Sequence, residues 1–113
     1  MSVSARNSQF RDYTVKPGEM EEWLDEWRAK LHPIRTKRGF RIVAAWVIPE
    51  TNRFLWIIRW EGKGSFEDAD RAYYASPERK AVQPNPAPHL DKAEHFYIDR
   101  ILEQGTWTRK NRK

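Results

Sequence analysis

The sequence predicts one α+β domain built on a four-stranded antiparallel sheet, and three features carry that expectation. A chain of 113 residues holds one core and leaves no room for a second. Its two most apolar stretches, 40–48 (FRIVAAWVI) and 53–60 (RFLWIIRW), have the length and the β-branched and aromatic content of strands. Two amphipathic helical stretches each fall between strand-like segments, so the order reads strand, helix, strand, strand, helix, strand.

The first strand is residues 9–16, QFRDYTVK, which alternate loosely and end at Pro17-Gly18. A helix follows, with Met20, Trp23, Leu24, Trp27, Leu31 and Ile34 at the three-to-four spacing of one helical face. Acidic residues crowd its first half (Glu19, Glu21, Glu22, Asp25, Glu26). Basic residues crowd its second half (Arg28, Lys30, Arg35, Lys37, Arg38), as the helix dipole favours. Pro33 lies inside the pattern and should disturb the helix near His32, because a proline has no N–H to donate to the preceding turn. Gly39 is the expected stop.

Pro49 to Asn52 turn the chain between the two strong strands, giving an antiparallel hairpin. Strict alternation puts Ile42, Ala44, Trp46, Leu55, Ile57 and Arg59 on one face of it. Val43, Ala45, Val47, Phe54, Trp56, Ile58 and Trp60 fall on the other. Both faces are apolar, whereas a sheet wetted on one side alternates apolar and polar residues. Two helices can cover only one face. The other needs a second cover, and another copy of the same chain is the simplest, so a homodimer is expected.

Ser65, with Asp68 three residues on, reads as the cap of a second helix from Phe66 to about Ala75, with Phe66, Ala69, Ala72 and Tyr73 inward. Ser76-Pro77-Glu78 restarts a short helical turn. The three prolines of 83–89 make an irregular loop, and 93–102 (AEHFYIDRIL) reads as the last strand. The order is the split βαβ pattern of ferredoxin-like domains. The domain is expected over 9–102, with a basic C-terminal tail over 103–113.

Composition narrows the class of function. Six Trp, five Phe and four Tyr are many for this length and can build a core or line a pocket, while a mean hydropathy of -0.92 reflects a charged surface. The chain has no cysteine, which removes disulfides, thiolate metal sites and cysteine nucleophiles. Residues 1–9 lack the apolar run of a signal peptide, and no stretch approaches the roughly 20 apolar residues of a membrane span. A cytoplasmic protein is expected, without a membrane partner. The net charge of +5 comes mostly from Arg109, Lys110, Arg112 and Lys113, since residues 1–105 carry 17 bases against 16 acids. Such a tail is ordinarily a solvated end, so nucleic acid is not an expected partner.

Several local features together resemble a known family. They are Tyr13-Thr14-Val15-Lys16-Pro17-Gly18 leading into a Trp-rich helix, Gly39-Phe40 opening a strand with Trp46, Trp60-Glu61 after the hairpin, and Ala75-Ser76-Pro77-Glu78 closing the second helix. In this order and spacing, over about residues 9–102, they resemble the NIPSNAP-type domain. The resemblance implies a dimeric α+β barrel, with two sheets packed back to back and the helices outside. It implies a pocket between the sheet and the helices of each subunit. The superfamily includes cofactor-independent monooxygenases, haem-degrading enzymes, haem-dependent dehydratases and small-molecule isomerases. The resemblance transfers no agreed catalytic set.

Candidate site residues are therefore polar groups on apolar elements. His95 shares a strand face with Tyr97 and Asp99 and could act as acid or base, or ligate a haem iron; a hydrogen-bonded place at the dimer interface is the plainer reading. Arg59, mid-strand among Leu55, Ile57 and Trp46, suits an oxyanion or a neighbouring acid equally. Tyr13 would orient a substrate with its phenol. His32, Tyr73, Tyr97, Trp46 and Trp56 are candidate ligand contacts, although tryptophans at strand spacing are more often core. No metal-ligand spacing accompanies the histidines, and there is no phosphate loop or nucleophile elbow. The leading expectation is a cofactor-independent monooxygenase or isomerase, with no bound cofactor, acting on a flat hydrophobic or aromatic molecule. His95, Tyr13 and Arg59 would be its catalytic residues. The alternatives are a non-catalytic dimeric module for a small ligand or a protein, and a haem protein using His32 or His95.

Overall fold

A computed structural model describes residues 6–107. Strands β1 (Ser8–Val15), β2 (Phe40–Ile48), β3 (Arg53–Trp60) and β4 (Leu90–Tyr97) form one antiparallel sheet in the order β2-β3-β1-β4. The two central strands are thus β3, between its hairpin partner β2 and β1, and β1, between β3 and the last strand β4. Helices α1 (Met20–Glu26), α2 (His32–Lys37), α3 (Phe66–Ala75) and α4 (Pro77–Lys80) cover one face. The ferredoxin-like order expected from the sequence is the order found.

The covered face is an aromatic core. Tyr13 and Val15 of β1, Phe54, Trp56 and Ile58 of β3 and Phe40 of β2 bury against Trp23, Trp27 and Leu31 from the first helical stretch and Phe66 and Tyr73 from α3. Its rings meet edge to face, as their quadrupoles prefer: Trp27 lies 4.9 Å from Phe54 at 68° and 5.5 Å from Trp56 at 76°.

Between α1 and α2 the helix widens over Trp27–Leu31 into a π turn, where the N–H of His32 donates to the carbonyl of Trp27, five residues back. The disturbance expected at Pro33 is this segment. Pro33 cannot bond the preceding turn, so the irregular ladder falls just before it. Gly39 ends the helix at φ +100°, and Ser65 Oγ accepts from Asp68 N at 3.0 Å at the start of α3. Ser76 Oγ likewise accepts from Arg79 N at 3.2 Å where Pro77 reopens the helix.

Four details differ from strict periodicity. In the hairpin Ile42 pairs with Ile58 but Ala44 pairs with Ile57, so Val43 is the extra residue of a β-bulge. Ile42 therefore faces the helices, not the side of Ala44, Trp46, Leu55, Ile57 and Arg59. On α3 the inward positions are Phe66, Ala69, Asp70 and Tyr73, while Ala72 is exposed. The last strand runs over Leu90–Tyr97 rather than 93–102, because its polar start pairs with the end of β1. Asp99 thus lies beyond the strand that carries His95 and Tyr97. Within the span expected as a tail, β5 (Leu102–Glu103) pairs with β6 (Thr106–Trp107) across Gln104 and Gly105, both at positive φ, as in a type I′ hairpin. The basic residues at 109–113 lie outside the described residues. No helix among the described residues is long and apolar enough to cross a membrane.

The face away from the helices carries Phe10, Ala44, Trp46, Ile48, Leu55, Ile57 and Phe96, with Trp46 and Phe96 each 49% exposed. An ion pair between β3 and β1 crosses it, with Arg53 Nε donating to Asp12 Oδ1 at 2.9 Å.

A Cβ on Gly39 would sit 3.1 Å from Trp60 Cζ3, in a backbone conformation that L residues rarely adopt. We therefore expect Gly39→Ala to lower unfolding stability by roughly 1–3 kcal/mol in a urea titration, with an unchanged far-ultraviolet spectrum.

Candidate functional site

Two guanidinium groups lie inside the domain. Arg11 projects from β1 toward the helices at the same parity as Gln9, Tyr13 and Val15 and is 0% exposed. Arg35 projects from α2, four residues after Leu31 and eight after Trp27, and is 2% exposed. A buried cation needs a counter-charge, and Asp70 on α3 serves both. Arg11 Nη2 donates to Asp70 Oδ2 at 3.0 Å, and Arg35 Nη1 donates to Asp70 Oδ1 at 2.7 Å. Arg11 Nε also donates to Gln9 at 2.9 Å, and Arg11 Nη1 reaches the hydroxyls of Tyr13 and Tyr74 at 3.3 and 3.4 Å. Arg35 Nη2 reaches the same Tyr74 hydroxyl at 3.3 Å, and the Arg35 guanidinium stacks 3.6 Å from the Tyr73 ring centroid.

This cluster borders a cleft between sheet and helices. Tyr13, Trp23, Trp27, Leu31, Arg35, Trp56, Tyr73, Tyr74, Arg79, Ala87 and Leu90 line it. A shallower groove shares Tyr13, Tyr74, Ala87 and Leu90 with the cleft and continues along β4 past Lys92 to His95. The His95 ring lies 6.2 Å from that of Tyr13.

Electrostatics set the protonation states. Burial alone would lower the Arg11 pKa, but Tyr13, Asp70 and Tyr74 more than offset it and raise it above that of an ordinary guanidinium. Burial pushes the Tyr13 phenol up to about 12, against the pull of Arg11, so it is a neutral hydroxyl at pH 7. Burial, aided by the charge of Arg11, lowers His95 below its ordinary 6.5 and leaves a neutral imidazole there. Just before β4, His89 spans the two ends of α1, with Nδ1 2.8 Å from Glu19 Oε1 and Nε2 3.1 Å from Glu26 Oε1. The hydrogen bond to Glu19 raises its pKa and favours the imidazolium.

Of the residues singled out from sequence, Tyr13, Trp56 and Tyr73 meet in the cleft and His95 stands in the adjoining groove. Arg59 and Trp46 do not join them. Both lie on the opposite face of the sheet, where Arg59 Nε is 3.8 Å from Glu61. His32 packs edge-on against Trp27 at 5.4 Å, outside the cleft lining. Tyr97 shares the helix-facing side of β4 but packs against Phe66 at 5.9 Å. Sequence reasoning missed Arg11, Arg35 and Asp70. Each is a charged residue at an apolar position of its element's period, and that mismatch was the available signal. Among the described residues no group of three or more His, Cys, Asp or Glu side chains is placed to hold a metal ion.

A family model described as NIPSNAP matches residues 8–98. The chain belongs to the NIPSNAP family. That family lies in the dimeric α+β barrel superfamily. Among solved structures, an uncharacterized NIPSNAP domain protein from Burkholderia xenovorans is 18% identical, with TM-score 0.70 over 81% of this chain and 91% of that one. A NIPSNAP family protein of unknown function from Agrobacterium tumefaciens is 15% identical, with TM-score 0.71 over 87% and 92%. A putative antibiotic biosynthesis monooxygenase from Bacteroides thetaiotaomicron is 15% identical, with TM-score 0.63 over 87% and 91%. At such identities these likenesses establish the NIPSNAP fold alone. A search of the curated proteins found no match.

Asp70→Asn would leave two buried guanidiniums without a full counter-charge. We expect a loss of about 3–5 kcal/mol in denaturant unfolding, well above the cost of Asp68→Asn on the exposed side of α3.

Proposed function

We propose that the cleft receives a flat, hydrophobic small molecule and that the protein transforms it, as a cofactor-independent monooxygenase or isomerase of the cytoplasm working as a homodimer. The observation that carries this reading is the cleft's wall of aromatic rings, with the neutral imidazole of His95 and the neutral phenol of Tyr13 at its outer end.

A base that is unprotonated at pH 7 suits removal of an acidic proton from a phenol or carbon acid. The proton passes to an imidazole nitrogen of His95, leaving a phenolate or enolate that the Tyr13 hydroxyl steadies by a hydrogen bond. An isomerase returns that proton at a second carbon. An oxygenase instead lets dioxygen take two electrons from the anion and bond to the ring carbon as a hydroperoxide. Loss of that carbon's proton then supplies two more to break the O–O bond, so one oxygen stays on carbon, the other leaves as water, and a phenol becomes a quinone. Electrons come from the substrate, so no further reductant is needed. Arg59 and Trp46, on the other face, take no part.

Turnover should fall as pH drops through the lowered His95 value, because the protonated ring cannot accept a proton. His95→Ala should remove that limb of the profile and reduce turnover by roughly 10²–10⁴-fold without altering thermal stability. A panel of phenols and enolisable ketones, followed by oxygen uptake and solvent deuterium exchange, provides the assay. Ligands that bind and leave with neither oxygen uptake nor exchange would point instead to a binding module.

The homodimer rests on the apolar sheet face, whose Trp46 and Phe96 are half-exposed. Light scattering should give twice 13.5 kDa. Trp46→Glu, which puts a carboxylate on that face, should give the single mass. A wild-type monomer refutes the pairing.

A further inference from the structure

The cleft's polar groups are unbalanced in one direction. Buried polar atoms are nearly always paired, so each exception needs an explanation. Trp23 and Trp56, 1% and 2% exposed, both line the cleft, and among the described residues their indole Nε1 atoms have no hydrogen-bond partner. The same holds for Nε of Arg79, a third lining residue. All three are donors, since an indole N–H and a guanidinium offer no acceptor.

Charge points the same way. No carboxylate lines the cleft. Arg11 and Arg35 carry two positive charges against the single negative charge of Asp70, so the buried cluster behind the cleft retains one. Arg79 adds another, and the acceptor it bonds is the neutral amide of Asn85, at 3.1 Å. Surplus cations and unpaired donors in a space walled by aromatic rings select an acceptor-rich anion with a flat apolar body.

We infer that the cleft takes an aromatic monoanion, a carboxylate or phenolate whose charged oxygens meet Arg79, Arg35 and the indole N–H groups of Trp23 and Trp56 while its ring lies among Trp27, Tyr73 and Leu31. The inference rests on the cleft being the ligand site and names the ligand's charge. It is consistent with the neutral Tyr13 and His95 at the outer end, which add no negative charge to repel such a ligand.

Isothermal titration of the full chain with 2-naphthoate and with neutral 2-naphthamide, near pH 7, separates charge from shape. The carboxylate should bind at least about tenfold more tightly than the amide. Arg79→Gln and Trp23→Phe each remove one donor and keep most of the side chain's bulk. Each should weaken naphthoate binding severalfold, Arg79→Gln with naphthamide unchanged and at wild-type melting temperature, and Trp23→Phe, which trims a buried core ring, at a lowered melting temperature. Equal affinity for acid and amide, or a preference that survives both substitutions, overturns the anion inference and leaves the cleft as a site for neutral ligands. If neither compound binds, the cleft is not the ligand site and both readings fall.

Discussion

Asp70 shared between Arg11 and Arg35 is the contact on which the domain's interior depends. It joins the centre of the sheet, the end of the first helical stretch and the inner face of α3 through a single carboxylate. The elements are otherwise held mostly by apolar contacts, whose partners can slide over one another. Hydrophobic contact is non-directional, whereas a carboxylate with one oxygen committed to each guanidinium fixes both distance and rotation. Bringing these charges in from water is costly, and packed apolar residues of similar volume would often be at least as stable. The arrangement thus fits a chain that uses buried charge for something besides stability, and binding in the adjoining cleft is the use proposed above.

The cleft is made by the same constraint. Arg35 stacks on Tyr73 and donates to Tyr74, and Arg11 donates to Tyr13 and Tyr74, so the tyrosines that border the opening are held by the cations behind it. Tyr74 is 44% exposed as a residue, yet its hydroxyl is fixed inside. Elsewhere, His89 ties the approach to β4 to Glu19 and Glu26 at the two ends of α1. The cleft's tyrosines are thus tied at their polar points, while Trp23, Trp27 and Trp56 line the space beside them.

Element order, the hairpin, the Ser65 cap, the helical restart at Pro77 and the apolar outer sheet face were legible because each leaves a local trace: a period, a turn residue, a capping pair or an alternation that fails. The bulge at Val43 was not, since one extra residue between two apolar runs changes no composition, and it moved Ile42 across the sheet. The site was half legible. Tyr13, Trp56 and Tyr73 look like core and are core that borders a cleft. Arg11 and Asp70 look like surface residues until the folded chain sets them opposite each other, and Arg35 is camouflaged among Arg28, Lys30, Lys37 and Arg38. Their pairing joins residues 35 and 59 positions apart, a separation at which sequence pattern carries no signal.

Trp23, Trp27, Leu31 and Arg35 are all buried and recur at every fourth residue. On an ideal α-helix such a series precesses by about 40° per step, so its last member would lead its first by roughly a third of a turn. The π turn at Trp27–Leu31 runs slower than the α-helix around it and takes up part of that lead, acting as a phase correction along the axis. Losing one residue between 27 and 31 would set the downstream helix about 100° out of phase. The hydrophobic rows would find other partners, but Arg35 would swing away from Asp70, and Arg11 would be left as that carboxylate's only cation. In this family fold, spacing within one short turn of helix governs the charge carried by the interior.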